Sequence, residues 1–252
     1  MTQTEALYHY TLRLGDNSLI SGHRLSEWCS RGPILEEDLA LTNMALDHIG
    51  RAQAFLKYAG ELSEKKQTED DLAYKRGERQ FLNNLITELP NQDFAFTIAR
   101  QLIISCFEFY LYTELCNSND PIVAGISEKA VKEVKYHLAH ATDWTCRLGD
   151  GTELSHQKMQ KALNDIWMFT GELFEMDETD QVLLKAGIAA DMTLIKPLWY
   201  NHLKQVTTEA GLKLPEDAYM QSGSRKGIHT EYLGHILSEM QYLQRAYPTA
   251  QW

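Results

Sequence analysis

His137 is the residue whose neighbours say most about chemistry; it lies in the stretch EKAVKEVKYHLAHATDWTCRL, from Glu128 to Leu148. Taking every third or fourth residue there gives Ala130, Val134, His137, Ala141, Trp144 and Leu148, an apolar row at helical period that should face a core. A carboxylate-bridged dimetal centre in a four-helix bundle takes one Glu from each of two helices and a Glu-x-x-His from each of the other two. The three-residue spacing matters because it aims both side chains of a pair at the same ion. This chain keeps the His but has Val134 where the Glu belongs. Glu133 is four residues back, near the face but rotated off the line a ligand needs.

The same audit applies to the other candidate helices. In Leu35 to Gly60 the expected pair falls on Asp47 and Gly50, a shorter carboxylate and no imidazole. His48 is adjacent, but on a helix it points about 100° away from Asp47. Phe94 to Cys116 offers Glu108, or only Ser105 if the register shifts, and the first helix offers His23 or Glu27. The most generous count reaches about three of six ligands, too few for two ions. Asp47, Glu108, Glu133 and His137 are therefore expected to be vestigial metal-site positions in a buried polar network. A buried charge without a metal must find a counter-group, although Glu108 fits either such a network or the surface. His140 is expected to face solvent.

Other catalytic constellations are weak. GxSxG, HExxH and GxxxxGK[ST] are absent. The run Gly223-Ser224-Arg225-Lys226-Gly227 has the composition of a phosphate cradle and equally of a plain turn.

The elements that must position these residues read as all-α. One long helix is expected to begin after the capping residues Asp16-Asn17-Ser18 and to run to about Cys29, before the Gly32-Pro33 break. A second spans Leu35 to Gly60, with Asn43, Asp47, Gly50 and Ala54 along one edge. A charged connector over Glu61 to Asp71 leads to a shorter amphipathic helix from Asp71 to Leu89. The third long helix covers Phe94 to Cys116, with Ile98, Gln101, Ser105, Glu108 and Tyr112 as its inner row. Asn117 to Pro121 turns the chain into the helix that carries His137, which closes at Gly149-Asp150-Gly151. Further helices are expected over Ser155 to Phe174, over Thr179 to Val206 with a kink or break at Pro197, and over His229 to Tyr247. The expected architecture is a single helical domain over 1–252, with a four-helix core at about 17–148 and accessory helices at about 155–247.

Composition narrows the function. With 252 residues and 44% hydrophobic residues, the chain can bury a sizeable core without disulfides or metal. A formal net charge of −11 repels a phosphate backbone, so nucleic acid is not an expected partner. No run of about 18 apolar residues marks a membrane span, and the polar N-terminus has no signal-peptide core. Cys29, Cys106, Cys116 and Cys146 are widely spaced, and read as buried reduced thiols inside helices of a cytoplasmic protein.

Several stretches together resemble the C subunits of the bacterial ring-1,2-phenylacetyl-CoA epoxidases, the multicomponent oxygenases of phenylacetate degradation. They are YTLRLGDN (Tyr10 to Asn17), RLSEWC (Arg24 to Cys29), GERQF (Gly77 to Phe81), TIARQ (Thr97 to Gln101) and KEVKYHL (Lys132 to Leu138). QKMQ (Gln157 to Gln160), KGIHTEYLG (Lys226 to Gly234) and EMQYLQR (Glu239 to Arg245) complete the set. The resemblance implies a ferritin-like four-helix bundle with additional C-terminal helices, with a structural role and no catalytic residues. It implies a homologous catalytic partner, the A subunit, that holds the di-iron centre, and a small B subunit. It also implies a reductase with FAD and a 2Fe-2S cluster that draws electrons from NADPH. The catalytic relatives carry KEExFH where this chain reads Lys132-Glu133-Val134-Lys135-Tyr136-His137. Tyr232, Tyr242, Tyr247 and Trp252 are candidate partner contacts, or pack on their own bundle. A homodimer when the partner is missing stays open. So do two rival readings, a stand-alone dimetal oxidase or hydroxylase with atypical ligands and a module that binds a single metal or a CoA ester.

Overall fold

The first helix starts earlier than its polar triplet suggests. The computed structural model describes residues 1–216, 219–248 and 250. In it α1 runs Gln3–Ser26, begun by a capping box in which Thr2 and Glu5 exchange side-chain and backbone bonds. Asp16, Asn17 and Ser18 are interior to that helix. Their side chains serve other segments. Asp16 pairs with Arg76 and accepts from the Leu82 N–H at 2.9 Å, and Asn17 accepts from the Asn84 N–H at 2.7 Å.

α2 (Leu35–Leu62) returns along α1 in the opposite sense, since Gly15 abuts Leu56 while Gly22 abuts Ile49. A Cβ at either glycine would lie under 3.0 Å from those side chains, so the small residues set how close the helices come. The segment 71–89 is not the single helix expected. α3 (Glu69–Tyr74) is short, and two 3-10 turns follow at Glu78–Gln80 and Leu85–Thr87. Here Asn83 bonds Thr87 and Glu88, and Thr87 bonds the Asn84 carbonyl. Such local side-chain bonds compete with the helical ladder.

α4 (Phe94–Leu115) is capped by Asp93, and α5 (Pro121–Gly149) by Asp120 with proline at its first position. α5 thus begins seven residues before Glu128. α6 (Glu153–Trp167) stops short of the 3-10 turn Gly171–Phe174. The expected helix from Thr179 to Val206 is two helices, α7 (Glu178–Lys185) and α8 (Met192–Glu209). The break lies ahead of the Asp191 cap, after Gly187 at φ +69°, and α8 continues through Pro197. α9 (Glu231–Met240) and α10 (Tyr242–Ala246) divide the last expected helix. No strand occurs among the described residues.

The chain groups into two compact units. One comprises 1–90, 178–183 and 223–252, and the other 91–177 and 184–222. The first packs Leu12, Leu19 and Ile20 of α1 with Ala52, Leu56 and Ala59 of α2, and with Leu72, Phe81, Leu233, Ile236 and Leu237. The second is built round Trp199, which stacks on Trp167 at 5.6 Å, meets Phe174 edge-on at 4.9 Å and donates to the Ile103 carbonyl at 3.1 Å. α4 is apolar and long enough to cross a bilayer by composition, but 83% of its most apolar window is buried inside the protein. The cysteines differ from expectation: Cys106 is buried, Cys116 and Cys146 are half-buried, and Cys29 is exposed just beyond α1. Burial pushes the Cys106 thiol far up, which keeps it protonated.

Candidate functional site

In the second unit the inner row of α4 is as expected. Ile98, Gln101, Ser105, Glu108 and Tyr112 are all buried, Glu108 at 4% exposure. On α5 the buried row runs Ala130, Val134, His137 and Ala141, then continues through Thr145 and Gly149 while Trp144 and Leu148 are half-buried. Trp144 instead meets Phe94 edge-on at 4.9 Å. Glu108 and His137 bring a carboxylate oxygen and a ring nitrogen within 4.8 Å of each other. At that spacing the two can form a charge-assisted pair or share an ion. The position three before His137 is Val134, fully enclosed, and Glu108 has only neutral Gln101, Ser105 and Tyr112 along its row.

Glu133 lies outside the buried row. It is half-buried and pairs with Lys129 at 3.3 Å one turn away, which corrects its placement in an interior network. His140 is half-buried beside Tyr136 rather than facing solvent.

In the first unit the register of α2 differs from expectation by one residue. Leu41, Met44, His48, Arg51, Phe55 and Ala59 are buried. Asn43 is exposed, while Asp47, Gly50 and Ala54 are half-buried. Asp47 is therefore not an inner ligand position, and a Cβ on Gly50 would meet nothing within 4 Å. His48, set aside on the sequence, is the fully enclosed imidazole of this helix. The step of about 100° per residue turns Asp47 off the core face and His48 onto it. Reading the register from Met44 and Phe55, instead of from a motif, would have found it.

His48 has a defined chemical state. Arg51, one turn on, donates from Nη2 to His48 Nδ1 at 2.6 Å, and its Nε donates to Ser18 Oγ at 3.0 Å. A guanidinium has only donors, so Nδ1 accepts, the ring is neutral and its proton sits on Nε2. A metal-bound imidazole is arranged the other way, giving its second N–H to a carboxylate or carbonyl. For Nε2 of His48 to hold an ion, its proton would have to move to Nδ1, where Arg51 already points an N–H.

α1 supplies no ligand in reserve. Glu27 is exposed and bonds Arg24 at 2.6 Å, and His23 is half-buried, with burial lowering its affinity for a proton. The inward charges of α1 are matched by other charges. Asp16 faces Arg76, and Arg13 binds Asp180, which Arg225 also holds at 2.5 Å. That last pair decides the glycine-rich loop. With Arg225 committed to Asp180, Ser224 buried and Gly227 at φ +68° against the Arg79 backbone, the loop is a structural turn. Tyr232 is half-buried, Tyr242 and Tyr247 are 66% and 59% exposed, and Trp252 lies outside the described residues.

The donor sets of both helix pairs thus depart from a dimetal pattern in the same direction, by loss of carboxylates and, at His48, by an added cation. The chain is 50% identical over 243 residues to the C subunit of the 1,2-phenylacetyl-CoA epoxidase of Escherichia coli strain K12, covering 96% of this chain and 98% of that protein. The family described as Phenylacetic acid catabolic protein matches residues 1–252, and its fold is ferritin-like and helical. The chain belongs to the phenylacetic acid catabolic protein family.

Proposed function

We propose that this chain is the structural subunit of a multicomponent phenylacetyl-CoA epoxidase, holding no metal of its own and pairing with a homologous catalytic chain. The observation that carries the reading is Arg51 on Nδ1 of His48, which places a fixed positive charge and a misdirected proton where a dimetal helix needs a free imidazole lone pair. Val134 in place of a carboxylate, and the outward settings of Asp47 and Glu133, support it. In the assembled enzyme the oxidation belongs to the partner's di-iron centre, and reducing equivalents come from NADPH through a reductase carrying FAD and a 2Fe-2S cluster. The complex also includes a further small chain and works in the cytoplasm. This chain's own contribution is to order the catalytic partner through a large shared interface, as homologous bundles can by a pseudo-symmetric contact.

Coexpression of the chain with an epoxidase catalytic chain, followed by native mass measurement, tests the pairing. A stable hetero-oligomer whose iron leaves with the catalytic partner is expected. Two chains that migrate separately at micromolar concentration would overturn it.

A further inference from the structure

His229, just ahead of α9 and outside the long helices that carry the ligand-type residues, meets an acceptor at each ring nitrogen. His229 Nδ1 is 2.5 Å from Glu88 Oε1, and its Nε2 is 2.8 Å from the Phe81 carbonyl. Both partners are acceptors only, a backbone carbonyl and a carboxylate, so both bonds require an N–H and the ring must be an imidazolium. The side chains of both His229 and Glu88 are fully enclosed. Glu88 also takes the Thr230 N–H at 2.9 Å, the Thr230 hydroxyl at 2.6 Å and the Asn83 amide at 3.0 Å.

Position gives this pair its importance. Thr230 is the residue that starts α9, whose Leu233, Ile236 and Leu237 complete the hydrophobic core of the first unit. Glu88 follows the 3-10 turn at Leu85–Thr87, and Arg24 of α1 holds its carbonyl at 2.6 and 2.9 Å. One imidazole therefore ties the start of the last core helix to two turns that precede α4.

We propose that the proton on His229 governs the seating of α9: the imidazolium clamps Glu88 and the Phe81 carbonyl together, and the neutral ring, able to donate to only one of them, releases the helix as pH rises. The charged groups that act on His229 are Glu88 and, from the turn at Glu78–Gln80, Glu78, both favouring the cation; Arg24 donates to the Glu88 carbonyl and pairs with Glu27. Burial alone would push His229 down, but the Glu88 hydrogen bond and charge, the Phe81 carbonyl and Glu78 outweigh it and hold the ring above its ordinary range. A group raised on folding contributes stability that is complete below its ordinary value and is lost as pH climbs through the folded one. The clamp is thus tight below the ordinary imidazole value and loosens as pH climbs through the raised one. Each unit by which folding raises His229 corresponds to about a tenfold change in the opening equilibrium.

The test uses the full chain labelled with 15N at histidine, read by ring-nitrogen chemical shifts from about pH 6 to pH 9.5, a range that brackets a raised imidazole. His229→Gln assigns the signal. Hydrogen exchange over 230–240, corrected for the intrinsic pH dependence, follows in parallel. His229 should lose its second ring proton at higher pH than a free imidazole does. Protection of α9 should fall through its titration, by a factor of about ten for each unit that separates the measured value from that of a free imidazole. Glu88→Gln should bring the titration down towards the free value. If His229→Gln fails to fold, Glu88→Gln supplies the assignment. A His229 that titrates at or below the free imidazole value, or α9 protection that is flat while the ring titrates, would overturn the proposal.

Discussion

The two units of this chain differ in the buried contacts that stand out in each. In the first, charges are paired across long sequence separations: Asp16 with Arg76, Asp180 with Arg13 and Arg225, Glu88 with His229. Asp16 ties α1 to the irregular stretch 63–93, which contains only short helical pieces, Arg13 ties α1 to α7, and Glu88 ties that same stretch to the residue before the cap of α9. The second unit also buries Arg100, Glu108, His137 and Glu172, and adds an aromatic cluster of Trp167, Phe174, Phe107 and Trp199. A buried ion pair is a poor source of net stability compared with apolar packing, but it is a strict one, since removing one partner strands the other. The ion pairs of the first unit therefore select their partners by charge, and the aromatic cluster of the second selects its own by shape.

The sharpest break in that contrast is Asp16→Ala. Losing this carboxylate leaves Arg76 buried without a counter-charge and the Leu82 N–H without an acceptor, at a cost of about 3–5 kcal/mol in chemical denaturation. A loss below about 1 kcal/mol would mean that the pair is dispensable and the contrast false.

A smaller effect comes from two substitutions that would restore ligand types. Val134→Glu puts a carboxylate at a position with no exposure and should cost about 2–4 kcal/mol in metal-free buffer. Gly50→His points into open space on a helix and should change stability by no more than about 0.5 kcal/mol, with helix propensity acting in its favour. Equal and large losses for the two would restore the register in which Gly50 faces the interior.

That register shows how far the sequence can be read. The long helices are legible because Gly32-Pro33, Pro90 and Asn117 to Pro121 punctuate them, and the inner row of α4 is legible because apolar residues flank Glu108 on both sides. The start of α1 is not, because Asp16, Asn17 and Ser18 have cap chemistry, yet they spend it on Arg76, Asn84 and Arg51. Nothing local in the sequence announces partners some 30 to 70 residues away. His48 escapes notice for a different reason: a ligand motif laid along α2 turns Asp47 inward, and an arginine on the core face next to a histidine is not part of any such motif. His137 is buried on the row the sequence gives it, and Glu108, which the sequence leaves open between interior and surface, is buried too, while Asp47 and Glu133 follow from spacing that the helix phase does not support.

The central claim is that the polar groups enclosed in these helices are matched to one another and do not hold a pair of metal ions. Metal content of the purified chain after anaerobic loading with ferrous iron and gel filtration tests it most directly. The expected result is iron well below one per chain, with Arg51→Gln raising it little while Val134 is unchanged. Close to two irons per chain in the parent protein would contradict the account and make the chain a dimetal oxidase in its own right.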